Sequence, residues 1–300
     1  MTADEAHVRS VVGNLLADYE MTLAVGDIRR LTGGRNNNLY ACQVGPREIC
    51  VKLYLRDSTR RAKHEWAALT ILSCFGFDAA PEPLYYESTH GPAVAMSLLP
   101  GDSLGGSSLS NDQIRQIADI FRGFHSIEAT KPAHRLPAVR LTVEGMLREV
   151  QERWYACMAD GSSPLRKELL TRWRGWITGP DIALLGHPST PVFGQGDPNT
   201  TNYLWDGTCV RVVDFEYAGW SNPYYELALL VEHVQSRATT DDRWLLLEEI
   251  LCPAGEDRGR VHAARALVAW YWTMEFWPHR QADNERFARQ AERLLQVLLG

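Results

Sequence analysis

The sequence predicts an α+β fold in which a small antiparallel sheet near the amino terminus is followed by a larger, mainly helical region. Short apolar runs separated by turns rich in glycine and proline occupy residues 23–55, a pattern typical of a meander of strands. From residue 102 onward, apolar residues recur every three or four positions, which indicates helices. The chain has 300 residues, 45% hydrophobic and 23% charged, which is ample for a large globular core.

The predicted sheet has four parts, each bounded by turn residues. They are residues 23–25 with 28–31, residues 39–44, residues 48–54 and residues 93–99. The last run ends at Pro100-Gly101, where proline and glycine break regular structure. We therefore predict a hinge at about residues 97–101, between an amino-terminal lobe of residues 1–99 and a carboxy-terminal lobe of residues 102–300.

The helical region opens with a capping-box signature. Ser110 is followed three residues later by Gln113, and apolar residues at helical spacing continue to Phe124, which predicts a buried helix ending at His125. One helix is predicted earlier, at residues 60–72. Further helices are predicted at residues 143–158, 164–177, 223–234, 241–251, 258–278 and 283–299.

A short polar motif follows in the second half of the chain. Asp197 and Asn202 have the spacing Asp-x-x-x-x-Asn, and two strand-like runs joined by an Asp-Gly turn lead to Asp214. The predicted hairpin carries Asp214 back beside Asn202. Carboxylate and amide oxygens suit Mg²⁺, and a further carboxylate can orient a hydroxyl and accept its proton. The motif therefore predicts phosphoryl transfer; the alternative is a surface hairpin with an acidic residue at each end.

Two charged residues earlier in the chain fit the same chemistry. Lys52 is a single cation in an apolar strand, and Glu65 follows thirteen positions later on the predicted helix. Burying a lysine is costly unless a partner carboxylate exists. Lys52 is therefore either buried beside a partner carboxylate, for which Glu65 is the candidate, or an outward-facing lysine with Glu65 a solvated helix residue.

The turn between the first two long strands is rich in glycine and asparagine. Such residues tolerate positive φ and present backbone N–H groups, so the turn is suited to cover phosphates. An ordinary hairpin loop is the alternative. The candidate phosphate-contacting residues are Gly33, Gly34, Asn36, Asn37 and Asn38.

These motifs together resemble the aminoglycoside phosphotransferase and choline kinase family, a branch of the protein-kinase-like two-lobe fold, over nearly the whole chain. In that family His-x-Asp-x-x-x-x-Asn is followed by Asp-x-Asp/Glu; here Gln195 stands at the histidine position. A glutamine amide also donates and accepts hydrogen bonds, so the change concerns loop geometry more than chemistry.

The resemblance implies ATP and Mg²⁺ as cofactors, with Asp197 as the catalytic carboxylate and with Asn202 and Asp214 as metal ligands. It implies that Lys52 contacts the α- and β-phosphates and is held by Glu65. It also implies that the adenine lies beside Met96 and bonds to the backbone that follows. Those backbone positions are Ser97, Leu98 and Leu99.

The implied acceptor is a hydroxyl of a small molecule, such as an aminoglycoside linked to antibiotic resistance, an amino sugar, choline or thiamine. The stretch Asp-Phe-Glu-Tyr-Ala-Gly from Asp214 resembles the choline- and thiamine-kinase side of the family and favours a metabolite. Trp272 and Glu275 are candidates to bind a cationic acceptor. Glu216 touches a second metal or orients its loop. A catalytically silent nucleotide-binding module is the alternative function.

Charge and composition exclude other classes. A net charge of −6 and the lack of a basic stripe argue against a nucleic-acid partner. No apolar run approaches the roughly 20 residues of a membrane span, and the amino terminus lacks an apolar signal core. Without a signal core or a membrane span, a cytoplasmic location is predicted. Six cysteines form no Cys-x-x-Cys pair, so we predict buried, reduced thiols. The sequence does not determine the oligomeric state.

Overall fold

A computed structural model describes residues 2–32, 37–55, 59–127, 136–139, 141–158, 163–252, 255–277 and 284–299. The chain divides into two compact units. The first unit comprises Met1–Ser103, Lys131–Leu136 and Asn202–Ala218, and the second comprises Leu104–Thr130, Pro137–Thr201 and Gly219–Gly300. These units follow spatial contact rather than chain order, and the lobe boundary predicted at residues 97–101 stays a prediction.

The first unit is built on a five-stranded antiparallel sheet. Its strands are β1 (Val25–Arg30), β2 (Asn37–Val44), β3 (Arg47–Tyr54), β4 (Pro83–Glu87) and β5 (Ala93–Ser97). Their spatial order is β1-β2-β3-β5-β4. The predicted meander is confirmed, with the two parts of the first strand joined across a register shift. The strand expected at residues 93–99 ends two residues earlier, and β4 was not predicted.

Helix α1 (Ala3–Asp18) packs on this sheet and was not predicted either. Thr2 and Glu5 form a capping box at its start, which satisfies backbone N–H groups that have no partner inside the helix. Val8, Val12 and Leu15 are buried on one face. That three- and four-residue spacing is a helical signal in the sequence, so the helix was predictable.

Helix α2 (Thr59–Cys74) also belongs to the first unit and confirms the helix predicted at residues 60–72. Its buried face carries Ala68, Leu69 and Leu72. These residues follow the buried carboxylate of Glu65 within the next two turns of the helix. An apolar face of this kind fixes the rotation of the helix, because turning it would expose the leucines to water. Glu65 is therefore oriented inward by its apolar neighbours.

A small second sheet carries the hairpin of the polar motif. It consists of β6 (Asp102–Ser103), β8 (Tyr203–Trp205) and β9 (Val210–Val212) in the order β6-β8-β9. Asp206 accepts hydrogen bonds from the backbone N–H groups of Thr208 and Cys209, and Gly207 has φ +100°. The predicted Asp-Gly hairpin is confirmed.

The second unit is mainly helical, as predicted. Its helices are α3 (Asn111–His125), α4 (Val143–Cys157), α5 (Pro164–Trp176), α6 (Pro180–Gly186), α7 (Pro223–Glu232), α8 (Asp241–Leu251), α9 (Gly255–Glu275) and α10 (Glu285–Leu299). Strands β7 (Val192–Gly194) and β10 (Gly219–Ser221) pair antiparallel. Of these elements, α6, β7 and β10 were not predicted, and each is seven residues or shorter.

Tryptophan rings form the centre of the core in the second unit. The centre of the Trp173 ring lies 5.2 Å from the centre of the Trp270 ring, edge to face, and 5.3 Å from the centre of the Trp176 ring. Edge-to-face and offset pairs add to the stabilisation that burial alone supplies. Among the residues described, none of the helices combines the length and the apolar character that a membrane span requires.

Candidate active site

Lys52 lies at the centre of a group of buried carboxylates in the first unit. Its Nζ is 2.7 Å from Oε2 of Glu65 and 2.7 Å from Oδ1 of Asp214, with Oε2 of Glu216 at 3.4 Å. The lysine side chain is 4% exposed. The structure therefore brings together four of the residues singled out in the sequence, on β3, on α2 and after β9.

The carboxylates around Lys52 keep its ammonium group charged. Burial alone would disfavour the charged ammonium, but the carboxylates of Asp214 and Glu65 hold the pKa of Lys52 well above its usual value. Burial raises the pKa of Glu65, although the positive charge of Lys52 acts to lower it. A buried lysine stays charged only when such partners offset the loss of water. Lys52 is thus a fixed cation with a defined position.

Glu65 links the strand, the helix and the hairpin. Its Oε2 accepts hydrogen bonds from Lys52 Nζ and from the hydroxyl of Tyr54, while its Oε1 accepts one from the backbone N–H of Phe215 at 3.1 Å. Asp214, the residue before Phe215, has φ +69°, a left-handed conformation that is uncommon outside glycine. Glu65 therefore fixes both the lysine and the backbone that presents Asp214.

Glu216 is held through both of its oxygens. Oε1 accepts a hydrogen bond from Arg61 Nη1 at 2.9 Å, and Oε2 accepts one from Asn37 Nδ2 at 2.7 Å. Its side chain is 3% exposed. Asn37 is the first residue of β2, and its buried Oδ1 has no hydrogen-bond partner among the described residues.

The donor set of this cluster fits a divalent cation. Oxygen atoms of Glu65, Asp214 and Glu216 lie within 4.8 Å of one another, and carboxylate oxygens are the ligands that Mg²⁺ prefers. Three carboxylates here face two cations, Lys52 and Arg61. Asp214 is 37% exposed whereas the two glutamates are almost fully buried, so Asp214 is the carboxylate that an incoming ion can reach.

The backbone places Asn202 opposite the end of β9. The N–H of Val213 donates to the carbonyl of Asn202 at 2.9 Å, and Tyr203 pairs with Val212 in the ladder that follows. Asn202 is buried, at 8% exposure. The hairpin thus brings Asn202 and the residue before Asp214 into direct contact, as the turn chemistry predicted.

The loop that carries Asp197 lies in the second unit, between β7 and a short 3₁₀ turn. Oε2 of Glu226, on α7, accepts a hydrogen bond from the N–H of Gly196 at 3.2 Å, and the Gln195 N–H also bonds to this carboxylate. Burial raises the pKa of Glu226. Asn199 Nδ2 donates to the carbonyl of Asp197 at 3.1 Å. The backbone around Asp197 is therefore fixed from both sides.

The expected adenine-contacting residues lie at the end of β5. Met96 is buried and pairs with Cys50 across the ladder. The N–H of Ser97 donates to the carbonyl of Glu82. Leu98 and Leu99 continue beyond the strand and are partly exposed. Of the expected phosphate-contacting turn, Gly33, Gly34 and Asn36 lie outside the described residues, and Asn38 bonds to Asp4 and Arg30.

The two acceptor candidates of α9 have partners within the second unit. Glu275 forms an ion pair with Arg153. The centre of the Trp272 ring lies 5.0 Å from the centre of the His233 ring, which stands at right angles to it, and 6.0 Å from the centre of the Phe276 ring. The carboxylate of Glu275 is therefore balanced by a cation, and Trp272 belongs to an aromatic cluster. Their role in acceptor binding stays a prediction.

Sequence reasoning missed two residues that support the cluster, although both leave a local signal. Arg61 precedes Glu65 by four positions on α2, so the two share a helix face. Tyr54 follows Lys52 by two positions on β3, so their side chains point to the same face of the sheet. Each could have been found by asking which polar residues share a face with the predicted pair.

Comparisons with known proteins cover nearly the whole chain. A model of the family described as "Phosphotransferase enzyme family" matches residues 27–295. No curated protein gave a significant match. Solved structures with similar folds include a choline/ethanolamine kinase family protein from Mesorhizobium loti, with 19% identity over 100% of this chain and 96% of that chain and a TM-score of 0.67.

Two aminoglycoside phosphotransferases are also similar. A mutant of aminoglycoside 2'-phosphotransferase-IIIa in its GDP complex is 16% identical over 98% of this chain and 97% of that chain, with a TM-score of 0.69. A thermostable mutant of APH(4)-Ia with ADP and hygromycin B is 14% identical over 97% of this chain and 98% of that chain, with a TM-score of 0.65. These likenesses confirm the protein-kinase-like fold. With the family match they confirm the predicted resemblance, and the chain belongs to the phosphotransferase enzyme family.

Proposed function

We propose that this protein transfers the γ-phosphoryl group of ATP to a hydroxyl group of a small molecule. The observation that carries the proposal is the position of Lys52, fixed between Glu65 and Asp214 at 2.7 Å from each. A buried lysine that is oriented by one carboxylate and adjacent to a second, more exposed one is suited to bind phosphate oxygens beside a metal ion. The nucleotides bound to two of the similar structures, GDP and ADP, support nucleotide binding.

The nucleotide would be held by residues of the first unit. In this proposal Lys52 binds the α- and β-phosphates, and Glu65 keeps the ammonium in place. The backbone of residues 97–99 and the side chain of Met96 hold the base, and the residues from Gly33 to Asn38 cover the phosphates. Asn37 is already anchored through Glu216, which supports a fixed end to that turn.

Mg²⁺ would be held by Asp214 and Asn202. When bound, the ion neutralises charge on the phosphates and on the oxygens of the transferred group. Glu216 has both oxygens engaged by Arg61, Asn37 and Lys52, so we assign it an orienting role. Asp197 orients the acceptor hydroxyl and accepts its proton. The position of Asp197 is set by Glu226, which holds the preceding backbone.

The acceptor is proposed at the level of a hydroxyl-bearing small molecule. Aminoglycosides, amino sugars, choline-like and thiamine-like alcohols are the classes to test, because the similar structures include aminoglycoside phosphotransferases and a choline/ethanolamine kinase family protein. Of the two candidates for a cationic acceptor, Glu275 is paired with Arg153, whereas Trp272 has an aromatic ring of the kind that binds cations. A role in resistance and a cytoplasmic location stay predictions.

The test is transfer of γ-labelled phosphate from Mg-ATP to a panel of aminoglycosides, amino sugars, choline, ethanolamine and thiamine. We expect label on one class, and loss of transfer by roughly three orders of magnitude in Asp197→Ala, as for loss of a catalytic acid–base group and its orienting contacts. Asp119→Ala removes an exposed carboxylate of α3 and is the matched control. Nucleotide binding without transfer to any acceptor would favour a silent binding module instead.

A further inference from the structure

The first two residues of β2 direct their side chains to opposite faces of the five-stranded sheet. Side chains alternate along a strand, so Asn37 and Asn38 lie on different faces. Residues paired across a ladder share a face, and Asn37 pairs with Tyr54 while Leu39 pairs with Lys52. Asn37 is therefore on the face of Lys52, and Asn38 is on the face that α1 covers.

On the face of Lys52, Asn37 belongs to the group of buried carboxylates. Its Nδ2 donates a hydrogen bond to Oε2 of Glu216 at 2.7 Å, and the same oxygen lies 3.4 Å from Nζ of Lys52. Asn37 is itself buried, at 6% exposure. A displacement of the first residue of β2 would therefore reach the ammonium of Lys52 through a single carboxylate.

On the opposite face, one carboxylate of α1 accepts two hydrogen bonds from β2. Oδ2 of Asp4, in the first turn of α1, accepts them from Nδ2 of Asn38 and from the hydroxyl of Tyr40, each at 2.8 Å. Burial and the hydrogen bond to Asp4 raise the pKa of Tyr40, so its hydroxyl keeps the proton that it donates. Hydrogen bonds to a charged acceptor are stronger than those between neutral groups. Asp4 thus holds β2 at two positions.

Arg30 fixes the orientation of the Asn38 amide. Nη2 of Arg30 donates to Oδ1 of Asn38 at 2.8 Å, while Nδ2 of Asn38 donates to Asp4. Arg30 and Tyr40 are partners across the β1–β2 ladder. Because both ends of the amide have partners, rotating it would break two hydrogen bonds. The side chain of Asn38 therefore anchors the strand to α1.

Helix α1 is well placed to hold this anchor. Its apolar face packs on the sheet, and the capping box of Thr2 and Glu5 fixes its first turn. A carboxylate in that turn also complements the positive end of the helix, which gives Asp4 an alternative, purely structural role. The family model matches residues 27–295, so the contact from Asp4 comes from a helix that precedes the matched range.

We propose that Asp4 is a positioning residue for the nucleotide site. Through Asn38 it holds the start of β2, so that Asn37 and Glu216 keep their places beside Lys52. This step rests on the role in nucleotide binding proposed above for Lys52. A site whose groups are held before the ligand arrives loses less entropy on binding. Loss of the Asp4 carboxylate should therefore weaken nucleotide binding while the group that contacts phosphate is still present.

The test is isothermal titration of the full chain with Mg-ADP, which needs no acceptor. We expect Asp4→Ala to raise the dissociation constant by about three- to tenfold, as residues outside a ligand site do when they are coupled to it. Asn14→Ala is the matched control, because Asn14 of the same helix donates to Glu87 of β4 at 2.9 Å. This control loosens α1 on the sheet but leaves β2 untouched, so it should bind Mg-ADP as the wild type does.

Two further variants separate positioning from packing. Asp4→Asn keeps a side-chain oxygen that accepts hydrogen bonds, so it should recover most of the affinity lost in Asp4→Ala. Adding Asp4→Ala to Asn38→Ala should change the dissociation constant by no more than about twofold, because residues that act through one another have non-additive effects. Urea denaturation of each variant verifies that the protein is folded at the temperature of the titration.

The positioning role is overturned by any of four results. They are Asp4→Ala binding Mg-ADP as the wild type does, Asn14→Ala weakening binding equally, Asp4→Asn binding as weakly as Asp4→Ala, or Asp4→Ala keeping its full effect in the Asn38→Ala background.

The labelled-ATP assay tests the proposed function separately. Binding that depends on Asp4, without transfer to any acceptor, supports the positioning role and counts against the proposed function. Transfer by a chain whose binding does not depend on Asp4 has the opposite meaning. A wild-type chain that binds no Mg-ADP overturns both.

Discussion

Nη1 of Arg61 lies 2.9 Å from Oε1 of Glu216, so helix α2 is tied directly to the segment that follows β9. The other oxygen of Glu216 accepts a hydrogen bond from Asn37 at the start of β2. Lys52 Nζ lies 3.4 Å from the same oxygen. One buried carboxylate therefore joins two strands, a helix and the segment carrying Asp214. A carboxylate with this many partners acts mainly by fixing its neighbours.

Arg61→Ala removes the nearest cationic partner of Glu216. We expect a loss of stability of about 1–3 kcal/mol, because a buried carboxylate is left with fewer hydrogen bonds, and a weaker apparent affinity for ATP. Urea denaturation and the KM for ATP are the measurements. Arg60→Ala, which removes the exposed neighbour on the same helix, is the control. Equal stability of the two variants would contradict the anchoring role of Arg61.

Lys52→Met keeps an unbranched side chain of similar size but removes its charge. The carboxylates of Glu65 and Asp214 then lose a cation at 2.7 Å, and phosphate binding loses a donor. We expect kcat/KM for ATP to fall by about 100-fold or more, as for the loss of one fixed electrostatic contact. Lys63→Met changes an exposed lysine of α2 and should leave the rate unchanged. A Lys52→Met enzyme with near-normal kcat/KM would rule out the phosphate-binding role.

Gly194→Ala tests how closely the backbone before the catalytic loop approaches its support. A Cβ at residue 194 would lie 2.6 Å from the carboxylate of Glu226 and 2.7 Å from Cβ of Ser221, distances that require a shift. Overpacking of this kind costs roughly 1–3 kcal/mol. It should also displace Glu226, which holds the N–H of Gly196, so we expect kcat to fall more than KM rises.

The control for that variant is Gly175→Ala on α5, where a Cβ meets nothing within 4 Å. Alanine favours a helix over glycine by about 1 kcal/mol, so this variant should be as stable as the wild type or more stable. Thermal denaturation with steady-state kinetics measures both substitutions. A Gly194→Ala protein with normal stability and normal kcat would show that the loop does not depend on this close approach.

The sequence revealed the parts of the site that local pattern encodes. Lys52, Glu65, Asn202 and Asp214 were predictable because strand, helix and hairpin rules set where each residue lies. The pairing of Glu216 with Arg61 and Asn37 was not predictable, since these residues are 155 and 179 positions away from it, although the position of Arg61 on the helix face of Glu65 was. Pairings over such separations arise from packing, which no short-range period records.

The same limit explains why the arginines around Glu232 went unnoticed. Arg237 is five positions away, but Arg265 and Arg293 are 33 and 61 positions away on other helices. In the sequence each is an ordinary polar residue on an amphipathic helix. In contrast, α1 and its capping box at Thr2 carried a local signal that was simply not used.

Glu232→Gln tests the buried charge at the end of α7. The substitution removes the negative charge that Arg237, Arg265 and Arg293 share. Breaking a buried ion pair by removing one partner typically costs about 3–5 kcal/mol, because the remaining charges stay buried without compensation. Glu249→Gln changes an exposed carboxylate of α8 and should cost much less. Urea denaturation near neutral pH compares the two.

The same residue gives a prediction about pH. Although burial alone would raise it, the hydrogen bond from Arg293 and the charge of Arg265 hold the pKa of Glu232 at about 2, below its ordinary value of 4.5. A lowered carboxyl pKa gives stability that is complete above the unfolded-state pKa and is lost as pH falls towards the folded-state pKa. The wild type should therefore lose about 3 kcal/mol from this group between roughly pH 5 and pH 2. Glu232→Gln should lack that component, so the stability difference between the two proteins should shrink as the pH falls; a difference that stays constant over this range would show that Glu232 is not the titrating group.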